Sequence, residues 1–204
     1  MFKKMASDAL GLSDVGTIIA PADYDKTDAD DYVMHEDQEK IYFVIKTKSD
    51  EYCFTNLAII HVDGENAISS KRLLKRYTYA QHKISNVMLE TAGKLDIDVE
   101  IKFTVGSVAF DIDVKKNQIE QLKDLYKALL RISELTYEND IQYNIAQSSL
   151  ERAMQTLQHS RSEEASLTDT FKGITEFSNQ WLTAKREEFH IIDYGHVFEK
   201  YINN

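Results

Sequence analysis

Residues 96–133 read DIDVEIKFTVGSVAFDIDVKKNQIEQLKDLYKALLRIS, and the change of period inside this stretch decides the fold. From Asp96 to Phe103 acidic and apolar residues alternate, so Ile97, Val99, Ile101 and Phe103 share one face of a half-buried strand. Gly106-Ser107 then supplies a tight hairpin into a second alternating strand, Val108 to Val114. After Lys116 the spacing becomes helical. Asn117 followed by Glu120 reads as an N-cap with its reciprocal acid, and Ile119, Leu122, Leu125, Tyr126, Leu129 and Leu130 form a broad apolar stripe. A helix leaving a sheet with such a stripe has to bury it, and the end of that sheet is the nearest apolar surface.

Upstream, Ile41–Lys46, Glu51–Asn56, Leu57–Val62, Leu73–Tyr79 and Lys83–Glu90 are short segments rich in Val, Ile, Phe, Tyr and Thr, separated by turn-prone pieces such as Asp63-Gly64 and Ala92-Gly93. Seven consecutive strands predict an antiparallel sheet or barrel. Residues 2–10 fit a short helix stopped by Gly11, and Asp14–Glu39, with the single proline and nine acids, reads as solvated loop or edge structure.

Beyond Ser133 no strand pattern returns. Leu135, Tyr143, Ala146, Leu150, Ala153, Met154 and Leu157 share a face of a helix running to about His159, and Tyr137, Ile141 and Ile145 form a narrower second stripe. After the polar break at residues 160–164, Leu167, Phe171, Ile174, Trp181, Leu182 and Phe189 continue on one face, and Tyr194, Val197, Phe198 and Tyr201 predict a final short helix. Two helices of this size cannot cover both apolar faces alone, so the segment is expected to pack on the β part or on copies of itself.

Composition narrows the function. The chain has 204 residues, 43% of them hydrophobic, with 24 Lys+Arg against 34 Asp+Glu and a formal charge of −10. That charge repels phosphate backbones and anionic lipid, so neither nucleic acid nor membrane lipid is an expected partner. The single cysteine, Cys53, excludes an intramolecular disulfide and reads as a buried, inert thiol. With no secretory h-region and no apolar run near the ~20 residues of a membrane span, a cytoplasmic setting is expected. No phosphate-cradling glycine loop or nucleophile elbow occurs, so no catalytic residue and no cofactor is assigned.

The charged clusters have plain readings. Asp23, Asp25 and Asp28 alternate as calcium ligands do, yet the glycine and terminal glutamate of a calcium loop are missing. Asp96, Asp98 and Glu100 read as a polar strand face. His190, Asp193 and His196 do not face one another on a helix, and no metal site is expected. Lys71, Arg72, Lys75, Arg76 and Lys83 form the one basic strip, a candidate for an anionic ligand or a partner protein, and the alternative reading is a peripheral membrane or anionic-ligand adaptor using this strip. Together with the acidic N-terminal segment it offers the two halves of a head-to-tail contact, the kind that closes rings.

Several of these pieces together resemble a known family. Phe54-Thr55-Asn56 leading into Leu57-Ala58-Ile59-Ile60, Tyr77-Thr78-Tyr79, Ile84-Ser85, and Glu90-Thr91-Ala92-Gly93 followed by Asp96, Asp98 and Glu100 are similar to the bacterial pleckstrin-homology (PH) domains over roughly residues 40–133. The helical remainder resembles the oligomerisation extension of YvbH-like proteins. The resemblance implies an α+β protein: a seven-stranded, partly open antiparallel barrel capped by a helix within residues 1–133, of which 1–39 are an N-terminal helix and acidic segment. An α-helical hairpin extension over 134–204 follows. It further implies a non-catalytic module that self-associates, with Leu150, Met154, Leu157, Phe171, Ile174 and Trp181 as candidate interface. Leu57 stands where the family commonly has a basic residue, and the first hairpin carries Asp50 and Glu51 at its tip without arginine, so inositol-phosphate binding by that route is not expected.

Overall fold

The computed structural model describes residues 14–64, 72–91, 98–158 and 166–202. The N-terminal helix expected over 2–10, the Ala92-Gly93 turn, Lys71, Asp96 and the break at 160–164 lie outside them. The chain divides into two compact units, residues 1–133 together with 192–204, and residues 134–191.

All seven expected strands form, and a short one precedes them. They are β1 (Thr17–Ile18), β2 (Ile41–Lys46), β3 (Glu51–Thr55), β4 (Ala58–Gly64), β5 (Arg72–Thr78), β6 (Ile84–Glu90), β7 (Asp98–Val105) and β8 (Val108–Lys115). The single seven-stranded barrel is corrected to two antiparallel sheets, β1 to β5 in order and β6-β7-β8. The ladder breaks between β5 and β6 because backbone amides there serve a turn: Gln81 and His82 donate to the Thr78 carbonyl, while the Lys83 carbonyl accepts from Gly106. At the other edge Gly16 joins the sheets, donating to the Asp113 carbonyl at 2.7 Å and accepting from the Lys115 amide at 3.0 Å. A Cβ there would sit 2.6 Å from Ile45 Cγ2, so the close approach requires glycine.

Register and alternation define the inner core. Phe43, Ile45, Phe54 and Ile59 of the first sheet meet Val99, Ile101, Phe103, Phe110, Ile112 and Val114 of the second. Phe54 and Phe103 lie 6.0 Å apart, and Phe103 stacks on Phe110 at 5.0 Å.

The first sheet is also buried on its outer face, which the sequence reading did not anticipate. Val44, Cys53, Ile60 and Val62 project there and are covered by Ala29 and Val33, with Tyr24 alongside. The acidic segment expected to be solvated supplies this cover as short 3₁₀ turns, Pro21–Lys26, Asp30–Tyr32 and His35–Asp37. Buried carboxylates hold it. Glu51 Oε2 accepts from the Ala29 amide at 2.9 Å, Glu39 Oε2 from the Met34 amide at 2.8 Å, and Glu39 faces Arg76 Nη2 at 3.0 Å.

After a 3₁₀ turn at Lys116–Gln118, helix α1 runs from Ile119 to Gln158. Asn117 thus lies inside that turn instead of capping the helix, and Glu120 pairs with Lys123. Gln118 ties the start of the helix to the sheet instead, its side-chain amide exchanging two hydrogen bonds with Ile18 of β1. Leu122, Leu125, Ala128, Leu129 and Ile132 are buried as the stripe predicts. The helix read from Leu135 onward is continuous with the one before it: no glycine or proline occurs between Gly106 and Gly173, so nothing interrupts the helical hydrogen bonding. Helix α2 spans Leu167–Phe189, with Ser166 as its N-cap, and α3 spans Gly195–Ile202.

Helix α3, expected within the helical extension, packs in the β unit. Tyr194, Val197 and Phe198 are buried, Phe198 stacks on Tyr42 at 5.3 Å, and Tyr194 meets Tyr79 edge-on. Asn56 fixes the approach, since its Nδ2 donates to Asp193 Oδ2 at 2.7 Å and its carbonyl accepts from the Tyr194 amide at 2.9 Å.

Three substitutions test this packing. Phe198→Ala opens a cavity under α3 and is expected to lower the unfolding free energy by about 3–5 kcal/mol in urea titrations followed by circular dichroism. Arg76→Met strands the Glu39 carboxylate and should cost about 3 kcal/mol or more, whereas Arg72→Met, on a half-exposed pair, should cost under about 1 kcal/mol.

Candidate functional site

Unit 134–191 is a helical pair with little interior of its own. Among its described residues only Ala146 and Leu150 are buried, and α2 buries none of its side chains. Leu167 is 79% exposed and Phe171 69%, with Phe177 and Trp181 also open to solvent. On α1, Tyr137, Ile141, Ile145 and Met154 are exposed as well. The stripes read from the sequence are therefore present, half-buried at Leu135, Tyr143, Ile174, Leu182 and Phe189 and open to water at Leu167 and Phe171.

Between α1 and α2 lies an apolar groove of about 180 Å³ lined by Leu150, Ala153, Met154, Gly173, Ile174 and Phe177. Gly173 forms an open gap in it, since no atom lies within 4 Å of where its Cβ would be. Of the candidate interface residues, Leu150 lies at the bottom of this groove, Met154 and Ile174 line it, and Phe171 and Trp181 are exposed on α2. Leu157 falls within α1, but its side chain lies outside the described residues. Phe177 stacks loosely on Trp181 at 6.3 Å, and Lys185 Nζ sits 5.2 Å above the indole.

The basic strip is drawn into the chain's own charge network. Arg72 faces Asp28 at 3.3 Å, Lys75 faces Asp63 at 2.5 Å, and Arg76 faces the buried Glu39 at 3.0 Å. Asp28 and Glu39 belong to the acidic N-terminal segment. The complementarity that suggested a head-to-tail contact between copies is thus used within one chain, where the acidic segment is tethered close to the strip. Lys83 is exposed, and Lys71 lies outside the described residues.

A third feature sits at the end of the inner face of the first sheet. Tyr52 pairs with His61, and His61 with Lys75, across β3, β4 and β5. Asp50 Oδ1 contacts His61 Nε2 at 3.1 Å, and one ligand atom each from Asp50, His61 and Asp63 lie within 4.8 Å of one another. Tyr52 stacks on His61 at 4.5 Å, and Phe110 closes the group from the second sheet. The Lys75 ammonium holds the Asp63 carboxyl below its usual range. Sequence reasoning missed this cluster because Asp50 and Asp63 are 13 residues apart; the available signal was His61-x-Asp63, two residues on one strand face facing a hairpin tip with an acid.

Other candidates have structural surroundings. Cys53 is buried, and burial first, then nearby Glu39 and Glu51, pushes its thiol well above the usual range. His190 closes α2, and Asp193 Oδ1 accepts from the Gly195 amide at the start of α3, so His190, Asp193 and His196 do not share a helix. Asp23 pairs with Lys26, and Glu100 with Lys102. Among the described residues no helix is long and apolar enough to cross a membrane.

The fold and the sequence both find counterparts. Over 204 residues the chain is 69% identical to an uncharacterized protein, YvbH, of Bacillus subtilis, covering 100% of each. The crystal structure of a PH domain containing bacterial protein from Exiguobacterium sibiricum has a TM-score of 0.86 at 50% identity, covering 93% of this chain and 100% of that one. Residues 144–204 match the YvbH-like oligomerisation region. Residues 9–133 match the bacterial PH domain, and the two antiparallel sheets with the helix that follows them make this chain a member of that family.

Proposed function

We propose that this protein is a non-catalytic PH-like scaffold of the cytoplasm that self-associates through its helical hairpin, with the β unit carried on the resulting homo-oligomer. The observation that carries this reading is helix α2, which has 23 residues, none of them fully buried in a single chain. Burying a side chain the size of Phe or Leu is worth roughly 1.5–3 kcal/mol, so Leu167, Phe171, Phe177 and Trp181 together form a surface that favours a partner. A second copy presents the same surface, and closed symmetric assembly covers it in every copy. The match of residues 144–204 to an oligomerisation region supports the same reading.

Docking of an anionic ligand or a membrane surface on the basic strip is less well supported, because Arg72, Lys75 and Arg76 each already face a carboxylate. A scaffolded partner protein would meet the β unit rather than the hairpin in this scheme.

Light scattering on the full chain is expected to give a mass that is a multiple of 23.5 kDa. The Leu167→Glu, Phe171→Glu double variant should shift that mass toward the monomer while its circular dichroism spectrum is retained. Gly173→Leu, which fills the groove, should weaken assembly if a neighbouring copy inserts there and leave it unchanged if contact is confined to the exposed face of α2. A monodisperse monomer over the whole concentration range overturns the proposal.

A further inference from the structure

Independently of self-association, the Asp50, His61 and Asp63 cluster has the makings of a ligand site. His61 and Asp63 lie two residues apart on β4 and so share a face, and the register Glu51 opposite Val62 brings Asp50, one residue earlier, alongside Asp63. We propose that Asp50, His61 and Asp63 form a site for a first-row divalent transition-metal ion such as Zn²⁺, with the Lys75 ammonium as the cation the metal displaces.

The donor set supports this assignment. One imidazole and two carboxylates, each offering one atom within 4.8 Å of the others, are ligands of the borderline ions; the imidazole disfavours Mg²⁺ and Ca²⁺. Ligands about 2.0–2.2 Å from a tetrahedral ion are roughly 3.4 Å apart, so side-chain rotations of about 1 Å close the set.

The charge balance points the same way. Asp50 and Asp63 bring a carboxylate oxygen within 4.8 Å of each other, and Lys75 supplies one positive charge against the two carboxylates.

The ligands are also held in place. The His61 ring is stacked by Tyr52 and met edge-on by Phe110, Asp50 Oδ2 accepts from Ser49 Oγ at 2.7 Å, and the Asp50 and His61 side chains are only 16% and 11% exposed. Phe110, itself buried, gives the cluster an apolar floor that strengthens attraction for a cation. On binding, Lys75, whose side chain is 35% exposed, swings into solvent. His61 binds through the Nε2 lone pair with its proton on Nδ1, and the remaining positions fall to solvent.

The test uses the full, tag-free chain dialysed against chelator, titrated with Zn²⁺ by calorimetry and with Co²⁺ by visible absorption. One ion per chain is expected, with d–d bands showing nitrogen and oxygen ligation. His61→Gln and Asp63→Asn should each weaken binding at least about tenfold, with circular dichroism melts confirming that both remain folded. Lys75→Met should strengthen it, because the competing ammonium is gone. Absence of saturable binding, affinity unchanged in both ligand variants, or an affinity that does not rise in Lys75→Met overturns the assignment.

Discussion

At the β3–β4 corner, Thr55 and Asn56 are nearly inaccessible to solvent, and their polar atoms have to find partners within the protein. Thr55 Oγ1 donates to Glu39 Oε1 at 2.5 Å and accepts from the Ala58 amide at 2.9 Å, while its carbonyl accepts from the Tyr79 hydroxyl. Asn56 Oδ1 accepts from the Lys40 amide and Nδ2 donates to Asp193. These bonds join the acidic N-terminal layer, the hairpin itself and the segment leading into α3. Because a buried donor or acceptor left unmade costs about 1–3 kcal/mol, the three segments are placed together or the corner is not formed. The Phe-Thr-Asn motif thus has a structural role, and the apolar Leu57 beside it is no obstacle to that role.

Charge follows from the same layer. A chain with a formal charge of −10 presents fewer free carboxylates than its composition implies, since Glu39 and Glu51 are buried beneath the N-terminal turns and Asp28 and Asp63 face cations of β5. The pairs neutralise Arg72, Lys75 and Arg76 at the same time. Two features are left over, of different physical origin. The helical pair exposes apolar surface that water disfavours, and the Asp50–His61–Asp63 group gathers carboxylates with one resident ammonium. The first calls for another apolar face, the second for a cation.

The elements themselves were legible because each rests on a local pattern. Alternation across Asp98–Val105 and Val108–Lys115, the positive φ of Gly106 in their hairpin, and the helical stripe from Leu122 to Ile132 are short-range properties of neighbouring residues. What was missed depends on distant neighbours. β1 is two residues long and exists through pairing with β2 and the Gln118 amide, 100 residues on. Ala29 and Val33 looked like loop residues because nothing nearby in the chain reveals that a sheet face waits beneath them. The stripe from Leu135 was read as a helix of its own, yet a stripe can shift without ending a helix.

By itself the sequence determined the order of strands and helices, the apolar excess of the helical pair and membership of a PH-like class, since periodicity and family motifs are carried by residues close together. Tertiary structure decided that the sheets stay two, that the acidic segment covers the first of them, that Arg72, Lys75 and Arg76 are paired from within, and that Asp50, His61 and Asp63 meet. Each of those outcomes is a contact between residues on different strands or turns, where strand register and the need to pair buried charge, rather than local preference, select the neighbour.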